Sequence, residues 1–415
     1  MSTISDRTGP VDVLVIGGGV IGLSIAWRAR AKGLSVTLLE RGEIGMGTSH
    51  VAAGMLAPVA EVEFGEAGQA ALELGLRSAE LWPGFAAELE LASGVEVGLL
   101  PTGTLVLARD EDEARELERQ ITFRESLGLR TARLRGSEAR EREPALAPTV
   151  RLALEAPDDH SVDPRLVLIA LRRACETLGA RLRESSPVAR VELDDAGTRV
   201  TGATLGRVGE GQPSAEYVGN GNVASAEAGA EGELVSARHV VIAAGPWSGS
   251  IPGLPPEVRV PVRPVKGQLL RLRDPAGPGL LERVVRFAGG YLVPRTDGRY
   301  VLGATVEERG FERHATAGGV YELLRDAHEL VPGVSELQIE ELCVGLRPGT
   351  PDNLPVIGRG GSRSLAGLTW ATGHYRNGIL LAPLTAELVA GALAGESPGP
   401  LPAACRPDRF VRMPA

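Results

Sequence analysis

Three glycines near the start of the sequence have the spacing that binds a dinucleotide pyrophosphate. Gly17, Gly19 and Gly22 follow a β-branched run that ends at Ile16, and they form the pattern GxGxxG. The first glycine permits a tight turn, the second lets the backbone approach a pyrophosphate, and the third lets a helix pack closely on a strand. Glu40 ends the next predicted strand, where a carboxylate accepts hydrogen bonds from ribose hydroxyls and repels a 2′-phosphate. The motif therefore predicts FAD or NAD, and disfavours NADP.

The segment after Glu40 is built from small residues. It reads RGEIGMGTSHVAAGMLAPVAE, at a point where an NAD enzyme usually continues into another βαβ unit. Small residues allow the backbone to lie close against a flat ring, so the segment favours a flavin. A plain loop that leads into a helix is the alternative. The residues concerned are Ser49, Ala52, Ala53, Gly54 and Met55.

Arg347, in the sequence GLRPG, is the first candidate for holding a substrate. A guanidinium grips a carboxylate with two parallel hydrogen bonds, and the following Pro348 favours an extended backbone at the arginine. The alternative is a structural salt bridge between Arg347 and the nearby Asp352.

Four segments resemble the D-amino-acid oxidase family of FAD-dependent amine oxidoreductases, and most of all its glycine oxidase branch. The resemblance spans residues 11 to 395, and the segments occur in the family's order. They are TSHVAAGMLAP, VVIAAGPWS, GLRPGTPDNLPVIG and GHYRNGILLAPLT. The resemblance implies a bound FAD, a small amine substrate and O2 as the second substrate.

The activity that the resemblance implies is the oxidation of glycine, sarcosine and small D-amino acids to imines, with H2O2 as the second product. In the family the glycine imine can supply the thiazole half of thiamine. One alternative is a D-amino-acid or sarcosine dehydrogenase that passes electrons to a quinone. Another is a tRNA-binding or regulatory flavoprotein, which the acidic net charge and the AAGMLAP and GHYRNG motifs disfavour. Family members are often homo-oligomers, so we expect an oligomer here.

The resemblance assigns roles to individual residues. It places Arg347 on the substrate carboxylate, with Tyr291 in GGYLVPRTDG completing the contact through its phenol. Arg376 is either a weaker determinant of substrate or only a tie between the helix entry and a carboxylate. We assign contact with the cofactor to Gly17, Gly19, Val20, Ile21, Gly22, Glu40, Arg41, Ser49, Ala52, Ala53, Gly54, Met55, Val188, Gly245, Trp247, His374, Arg376, Asn377, Gly378, Ile379 and Leu380.

Two further expectations concern the flavin. A helix ILLAPLTAELVA is predicted to begin at Gly378 and Ile379, and its N-terminus would face the N1–C2=O edge of the ring, where reduced flavin carries negative charge. Some amine dehydrogenases of this superfamily attach FAD through a histidine before Ala-Ala-Gly. In SHVAAG the residue Val51 intervenes after His50, so we expect non-covalent FAD.

The elements that position these residues predict an α/β fold. A Rossmann-like FAD-binding domain is expected from residues 11–93, 161–251 and 335–415. An antiparallel-sheet α+β substrate domain is expected from residues 94–160 and 252–334, because GTLVLAR, VKGQLLRLR, GGYLVPRTDG and YVLGATVEE read as strands. Residues 206–233 are rich in Gly, Ala, Ser and Glu, which is typical of a mobile inserted loop.

Composition narrows the class of protein. The chain has 415 residues and a net charge of −9, which disfavours nucleic acid as a partner because phosphate binding needs clustered basic residues. Its three cysteines, Cys175, Cys343 and Cys405, have no CxxC spacing, so we expect neither a Cys-rich zinc site nor a disulfide framework. The sequence shows no signal peptide and no apolar run long enough to span a bilayer. These features predict a cytoplasmic protein with no metal and no membrane contact.

Overall fold

The computed structural model describes residues 9–206, 232–360, 365–397 and 401–410, so the predicted loop 206–233 lies almost wholly outside them. The helices are α1 Val20–Ala31, α2 Thr48–Val51, α3 Glu66–Ser93, α4 Glu111–Ser126, α5 Gly136–Arg142, α6 Pro164–Thr177, α7 Ala317–Leu330 and α8 Ala382–Leu393. The strands are β1 Val11–Ile16, β2 Val36–Leu39, β3 Met55–Leu56, β4 Thr104–Ala108, β5 Ala132–Arg135, β6 Leu152–Ala156, β7 His160–Ser161, β8 Arg181–Arg183, β9 Val188–Leu193, β10 Val200–Leu205, β11 Leu234–Ile242, β12 Arg263–Arg273, β13 Val284–Phe287, β14 Gly290–Pro294, β15 Arg299–Gly303, β16 Gln338–Gly349, β17 Val356–Gly358 and β18 Leu368–Thr372.

The first sheet has a parallel centre. Its order is β17-β18-β11-β1-β2-β8, and β9 and β10 extend it from β11. Strand β1 pairs in parallel with both β2 and β11. Because both faces of β1 are covered, Leu14 and Val15 have no exposed surface, and burying such a side chain contributes roughly 1.5–3 kcal/mol. The arrangement confirms the predicted Rossmann-like sheet.

Helices α1, α6 and α8 cover one face of the first sheet and share its largest apolar core. Helix α1 is buried on most sides, which explains why its sequence is mainly apolar up to the two arginines of its last turn, Arg28 and Arg30. Helix α6 begins as the sequence predicts, with the Asp163 side chain accepting a hydrogen bond from the Arg165 N–H and Pro164 in the first turn.

The second sheet has the order β16-β12-β15-β14-β13-β4-β6-β5 and is antiparallel except where β13 pairs with β4. All four strands predicted for the substrate domain are present in it. Helices α5 and α7 pack on one face, and α4 packs on the other through Leu117 and Ile121. This sheet confirms the predicted second, antiparallel layer.

Strand β16 corrects one predicted boundary. The sequence analysis placed residues 335–415 with the FAD-binding domain, whereas β16 hydrogen-bonds to β12 from Arg263↔Gly349 to Arg273↔Gln338. Pairing of β16 with β12 is favoured because β12 is a long, almost fully buried strand. Without β16, the backbone groups along one edge of β12 would lack hydrogen-bond partners. The chain returns to the first sheet only at β17. In the described parts of the chain, no helix is long and apolar enough to cross a membrane.

Candidate active site

A cavity of about 650 Å³ lies between the two sheets. It borders the carboxyl ends of β1, β2, β11 and β18, which is the edge where open α/β sheets bind their ligands. On its other side it borders β12, β14 and β16. What we call the glycine-rich end is lined by Gly17, Gly19, Glu40, Arg41 and Trp247. What we call the arginine end is lined by Glu61, Tyr291, Arg347 and Arg376.

The turn between β1 and α1 has no room for side chains. Gly17 has φ of +112°, and a Cβ atom there would lie 2.4 Å from the Ala243 carbonyl oxygen. A Cβ on Gly22 would lie 2.0 Å from the Gly17 carbonyl oxygen, so Gly22 serves packing rather than lining the cavity. The first N–H of α1, on Val20, donates to the Ser49 Oγ at 3.1 Å. This turn presents bare backbone to the cavity.

Glu40 and Arg41 also line the glycine-rich end of the cavity. The Glu40 carboxylate accepts hydrogen bonds from the N–H groups of Gly18 at 2.8 Å and Gly42 at 3.0 Å. These contacts fix its direction and leave further lone pairs for a ligand. The Arg41 guanidinium lies 3.6 Å from the ring centroid of Trp247, and burial lowers its pKa.

Trp247 is the centre of an aromatic stack. Its ring is stacked with that of Phe311, at a centroid distance of 5.6 Å. Its buried Nε1–H has no partner among the residues that the structure describes. A buried donor without a partner is costly, so this N–H fits a group that the cavity receives. Bare glycine backbone, the Glu40 carboxylate and this donor together fit a dinucleotide.

The small-residue segment runs along the cavity between its two ends. Ser49, Ala52, Ala53, Gly54 and Met55 all line it. Gly54 has φ of +83°, and a Cβ there would lie 2.0 Å from the Val162 carbonyl oxygen. The segment therefore presents close-packed backbone to the cavity, as its composition predicts.

The Arg347 guanidinium is held in position by hydrogen bonds to backbone carbonyls, but its positive charge is not paired with a described carboxylate. Its Nη1 donates to the carbonyl oxygens of Thr305 at 3.0 Å and Lys266 at 3.3 Å. Within the described residues, no carboxylate lies within salt-bridge distance of it. Asp352 instead pairs with Arg409 at 2.9 Å, so the alternative of an Arg347–Asp352 salt bridge is wrong. The guanidinium remains available for an anion in the cavity.

Gly267 makes room for that guanidinium. A Cβ atom on Gly267 would lie 2.4 Å from the Arg347 Nη1, which is too close for any side chain. Sequence analysis did not select this residue, although a glycine inside the strand pattern VKGQLLRLR is a known sign of close approach.

Tyr291 lines the cavity beside Arg347. Burial raises the pKa of its hydroxyl, while the neighbouring Arg347 charge opposes the shift. The phenol is therefore protonated at neutral pH and can donate a hydrogen bond. A Cβ on Gly303 would lie 2.8 Å from the hydroxyl oxygen, so a second strand glycine makes room for this side chain.

Arg376 lines the cavity and is also an ion-pair partner of Glu63. The structure is therefore compatible both with a contact between Arg376 and the substrate and with a purely structural tie to a carboxylate. His374 lies next to it and is only 3% exposed. Its Nε2 lies 3.0 Å from the Thr385 Oγ1 on α8, and burial lowers the pKa of the ring to about 3. His374 is neutral at neutral pH.

The residues after Arg376 differ from prediction. Helix α8 begins at Ala382 instead of Gly378 and Ile379, because turns precede it: the Leu381 N–H donates to the Asn377 carbonyl and the Asn377 N–H to the His374 carbonyl. Gly378 and Ile379 do line the cavity.

Three predicted contacts are absent from the described part of the cavity wall: Gly22, whose packing role is given above, and two residues after Arg376. Asn377 and Leu380 are not among the described residues that line it. The side chain of Leu380 is buried in the core, and its carbonyl accepts hydrogen bonds from Ser78 at 2.6 Å and Trp82 at 2.9 Å on α3. These bonds anchor the turn with Leu380 directed into the core instead of the cavity.

The other predicted contacts lie in the wall. Each of the following residues lines the cavity: Val20, Ile21, Val188 and Gly245. His50 is not among the described residues that do so, and Arg165 and Arg271 hold its carbonyl oxygen at 3.3 and 2.7 Å. This placement supports the prediction of non-covalent cofactor.

Comparison with known proteins shows the family to which the chain belongs. The FAD dependent oxidoreductase family matches residues 12–392. Glycine oxidase from Geobacillus kaustophilus is 36% identical over 382 residues, which cover 91% of this chain and 92% of that protein. The crystal structure of glycine oxidase from the same organism superposes with a TM-score of 0.82 at 34% identity, covering 97% of this chain and 100% of that one.

A bifunctional protein named ThiO/ThiG, from Trichormus variabilis, is also 36% identical, over 404 residues. The match covers 97% of this chain and 55% of that protein, so the chain spans about half the length of this bifunctional relative.

The fold and the site define a dinucleotide-binding protein whose cavity also holds the guanidinium of Arg347. The match over nearly its whole length is more specific: the chain belongs to the family of FAD-dependent oxidoreductases, and FAD is its cofactor.

Proposed function

We propose that this protein oxidises glycine and other small amines, among them sarcosine and small D-amino acids, to the imine or 2-oxo acid, and reduces O2 to H2O2. The observation that carries the proposal is the open charge of Arg347 in a cavity that continues into the dinucleotide site. The names of relatives that match over most of both chains support the same activity.

Arg347 would hold the substrate carboxylate. Its Nη1 is fixed by two backbone carbonyls, and its other N–H groups can form the paired hydrogen bonds that orient a carboxylate. The neutral phenol of Tyr291 would donate a further hydrogen bond to the same group. Two fixed contacts restrict the Cα of the substrate to one position, which is how binding energy contributes to rate.

FAD, when bound, supplies the acceptor for the hydride that leaves the substrate Cα. The protein supplies a wall of apolar and small groups around the arginine end, and water is excluded where that wall closes on the substrate. The wall includes Met55, Leu269 and Ala304. A pocket enclosed by this wall around the carboxylate contact would favour glycine and sarcosine over bulky D-amino acids.

The test is to mix the purified yellow protein with glycine without oxygen and to record the visible absorbance. We expect bleaching, then recovery of colour and formation of peroxide when air is admitted. Sarcosine, D-alanine and D-phenylalanine would follow in steady-state assays. Absence of bleaching with every small amine would contradict the proposal. Bleaching that a quinone reverses and oxygen does not would favour the dehydrogenase alternative.

A second measurement concerns attachment of the cofactor. Acid precipitation should release the yellow colour into the supernatant, because His50 is not among the described residues of the cavity wall. Colour that stays in the pellet would contradict non-covalent binding.

The biological setting belongs to the same proposal. Relatives that carry the name ThiO/ThiG support a role for the glycine imine in making the thiazole of thiamine. A cytoplasmic location is supported by Cys175, Cys343 and Cys405, which are buried free thiols. We also propose a homo-oligomer, which light scattering on the purified protein would test.

A further inference from the structure

Glu61 is a carboxylate in the wall of the arginine end. Its side chain is only 12% exposed, and it lines the cavity together with Tyr291, Arg347 and Arg376. Its charge adds to the effect of burial in raising the pKa of the Tyr291 hydroxyl. A negative charge therefore lies beside the phenol that faces the proposed carboxylate site.

The backbone before Glu61 is held by three charged side chains. The Asp159 carboxylate accepts hydrogen bonds from the N–H groups of Val59 at 3.1 Å and Ala60 at 2.6 Å. Arg124 donates to the carbonyl oxygens of the same two residues, at 2.9 Å each. Asp159 and Arg124 are at most 2% exposed.

Arg286 completes this support. Its Nη1 donates to the Ala60 carbonyl at 2.7 Å, and its Nη2 lies 3.4 Å from the Glu61 carboxylate. Buried charges of this kind are expensive unless they are fully paired. Their convergence on the two residues before Glu61 fixes the backbone that carries this carboxylate in the cavity wall.

The charged side chains at the arginine end differ in whether they have a partner of opposite charge. Arg347 has no carboxylate partner within the described residues, whereas Arg376 is paired with Glu63. Glu61 has a cationic partner in Arg286, at a distance longer than a close ion pair, and its charge also acts on Arg376. The cavity therefore offers one open cation and one carboxylate, which complements an amino acid with a single carboxylate and a cationic amine.

We propose that Glu61 is a specificity-determining residue that selects amino acids with one carboxylate, by attracting the substrate amine and repelling a second carboxylate. The inference rests on the proposed function, because it assumes that Arg347 holds the first carboxylate. Like charges brought together at a binding surface disfavour the wrong ligand strongly, so the selection does not require contact between Glu61 and the substrate.

The experiment compares glycine with iminodiacetate, which is glycine with a second carboxymethyl group on the amine. Steady-state kcat/KM would be measured for holoenzyme of the wild type, Glu61→Gln, Glu61→Asp and the control Glu66→Gln. Glu66 is exposed in the first turn of α3 and does not line the cavity. We expect Glu61→Gln to raise the ratio of iminodiacetate to glycine activity about tenfold or more. Glu61→Asp and Glu66→Gln should keep the ratio near that of the wild type.

A binding measurement separates this inference from the proposed function. Titration calorimetry on the same holoenzymes would compare acetate with malonate, neither of which has an amine to oxidise. Glu61→Gln should strengthen malonate relative to acetate by a similar factor, even if glycine is not a substrate. An unchanged ratio in both measurements, with a melting temperature near that of the wild type, would overturn the inference while leaving glycine oxidation intact.

Discussion

Apart from Trp247, the glycine-rich end of the cavity comes from a nearly continuous stretch of chain, whereas the arginine end is assembled from distant pieces. Gly17, Gly19, Glu40 and Arg41 lie within one βαβ unit. In contrast, Glu61 follows β3, Tyr291 lies on β14, Arg347 on β16 and Arg376 after β18. Glycine backbone lines much of the first end, whereas side chains from four distant parts of the chain line the second.

The difference shows what positions each kind of contact. A turn with positive φ and no room for a Cβ is specified locally, by the glycines themselves. The Arg347 side chain is positioned by sheet register: Lys266 pairs with Leu346, and Gly267 pairs with Gly345 across β12 and β16. A register error of one residue would turn Arg347 away from the cavity. The following predictions test this contrast between local and assembled sites.

The largest effect is expected from Gly17→Ala. The new Cβ would lie 2.4 Å from the Ala243 carbonyl and would demand φ of +112° from an alanine, so the turn must move and FAD binding should be lost. The purified variant should be colourless. Gly33→Ala is the matched control, because Gly33 also has positive φ but has nothing within 4 Å of a Cβ. It should stay yellow and lose only about 1 kcal/mol of stability. A yellow Gly17→Ala protein would contradict the local role of the turn.

A smaller effect, confined to the substrate, is expected at Arg347. Lysine keeps the charge without the planar fork, so Arg347→Lys should lose one charge-assisted hydrogen bond, worth roughly 1.5–3 kcal/mol or about ten- to a hundredfold in kcat/KM for glycine. Arg347→Ala should lose more, and both variants should remain yellow. Arg376→Ala should lose less, because Arg376 is already paired with Glu63. Wild-type kcat/KM in Arg347→Lys would show that this arginine is structural.

Gly267→Ala tests whether Arg347 is positioned by the strand register and by the space beside Gly267, and not by its charge alone. The added methyl group would lie 2.4 Å from Nη1, so the guanidinium must shift while its charge remains. We expect a loss of about tenfold in kcat/KM, mostly in KM, with colour retained. Gly345→Ala, on the paired strand, would approach Val51 at 3.1 Å instead, and it should cost less. Equal losses of kcat/KM in both variants would show that Gly267 has no special role in positioning Arg347.

These contrasts also explain what the sequence could predict. The strand β1, the turn, helix α1 and the carboxylate Glu40 follow from local patterns, and the structure has β1 at the predicted residues. Arg347 was selected for the chemistry of its guanidinium and for its motif, and Tyr291 was selected because the motif around it resembles a family. Their mutual placement depends on strand pairing that no local pattern contains.

The features that the sequence did not predict also depend on contacts between distant parts of the chain. Glu61 and Gly267 were missed because their roles depend on contacts with Arg286 and Arg347, which are far away in sequence. The start of α8 was predicted too early, since the apolar sequence from Ile379 to Leu381 suits a helix as well as the turn that Ser78 and Trp82 anchor. Residues 335–415 were expected to belong to the FAD-binding domain, whereas β16 pairs with β12, because a local pattern does not identify the partner of a strand.

The smallest expected effect concerns His374, which lines the cavity close to Arg376. Burial lowers the pKa of its ring from 6.5 to about 3, so the folded protein keeps the ring neutral where the unfolded chain protonates it. The unfolded chain then binds more protons between these two values, and stability falls as the pH drops from about 6.5 toward 3.

His374→Asn removes this titration, although the smaller side chain should lower stability at pH 7.5. The informative quantity is therefore the difference in the free energy of unfolding between pH 7.5 and pH 5, measured with urea on the holoprotein. A single histidine with so low a folded pKa contributes roughly 2 kcal/mol to that difference, and the variant should lose about this amount of pH dependence. His328→Asn, on the exposed face of α7, is the control and should keep the wild-type difference. If His374→Asn keeps it as well, the ring must be protonated or exposed in the folded protein, and the wall at the arginine end must be open to water.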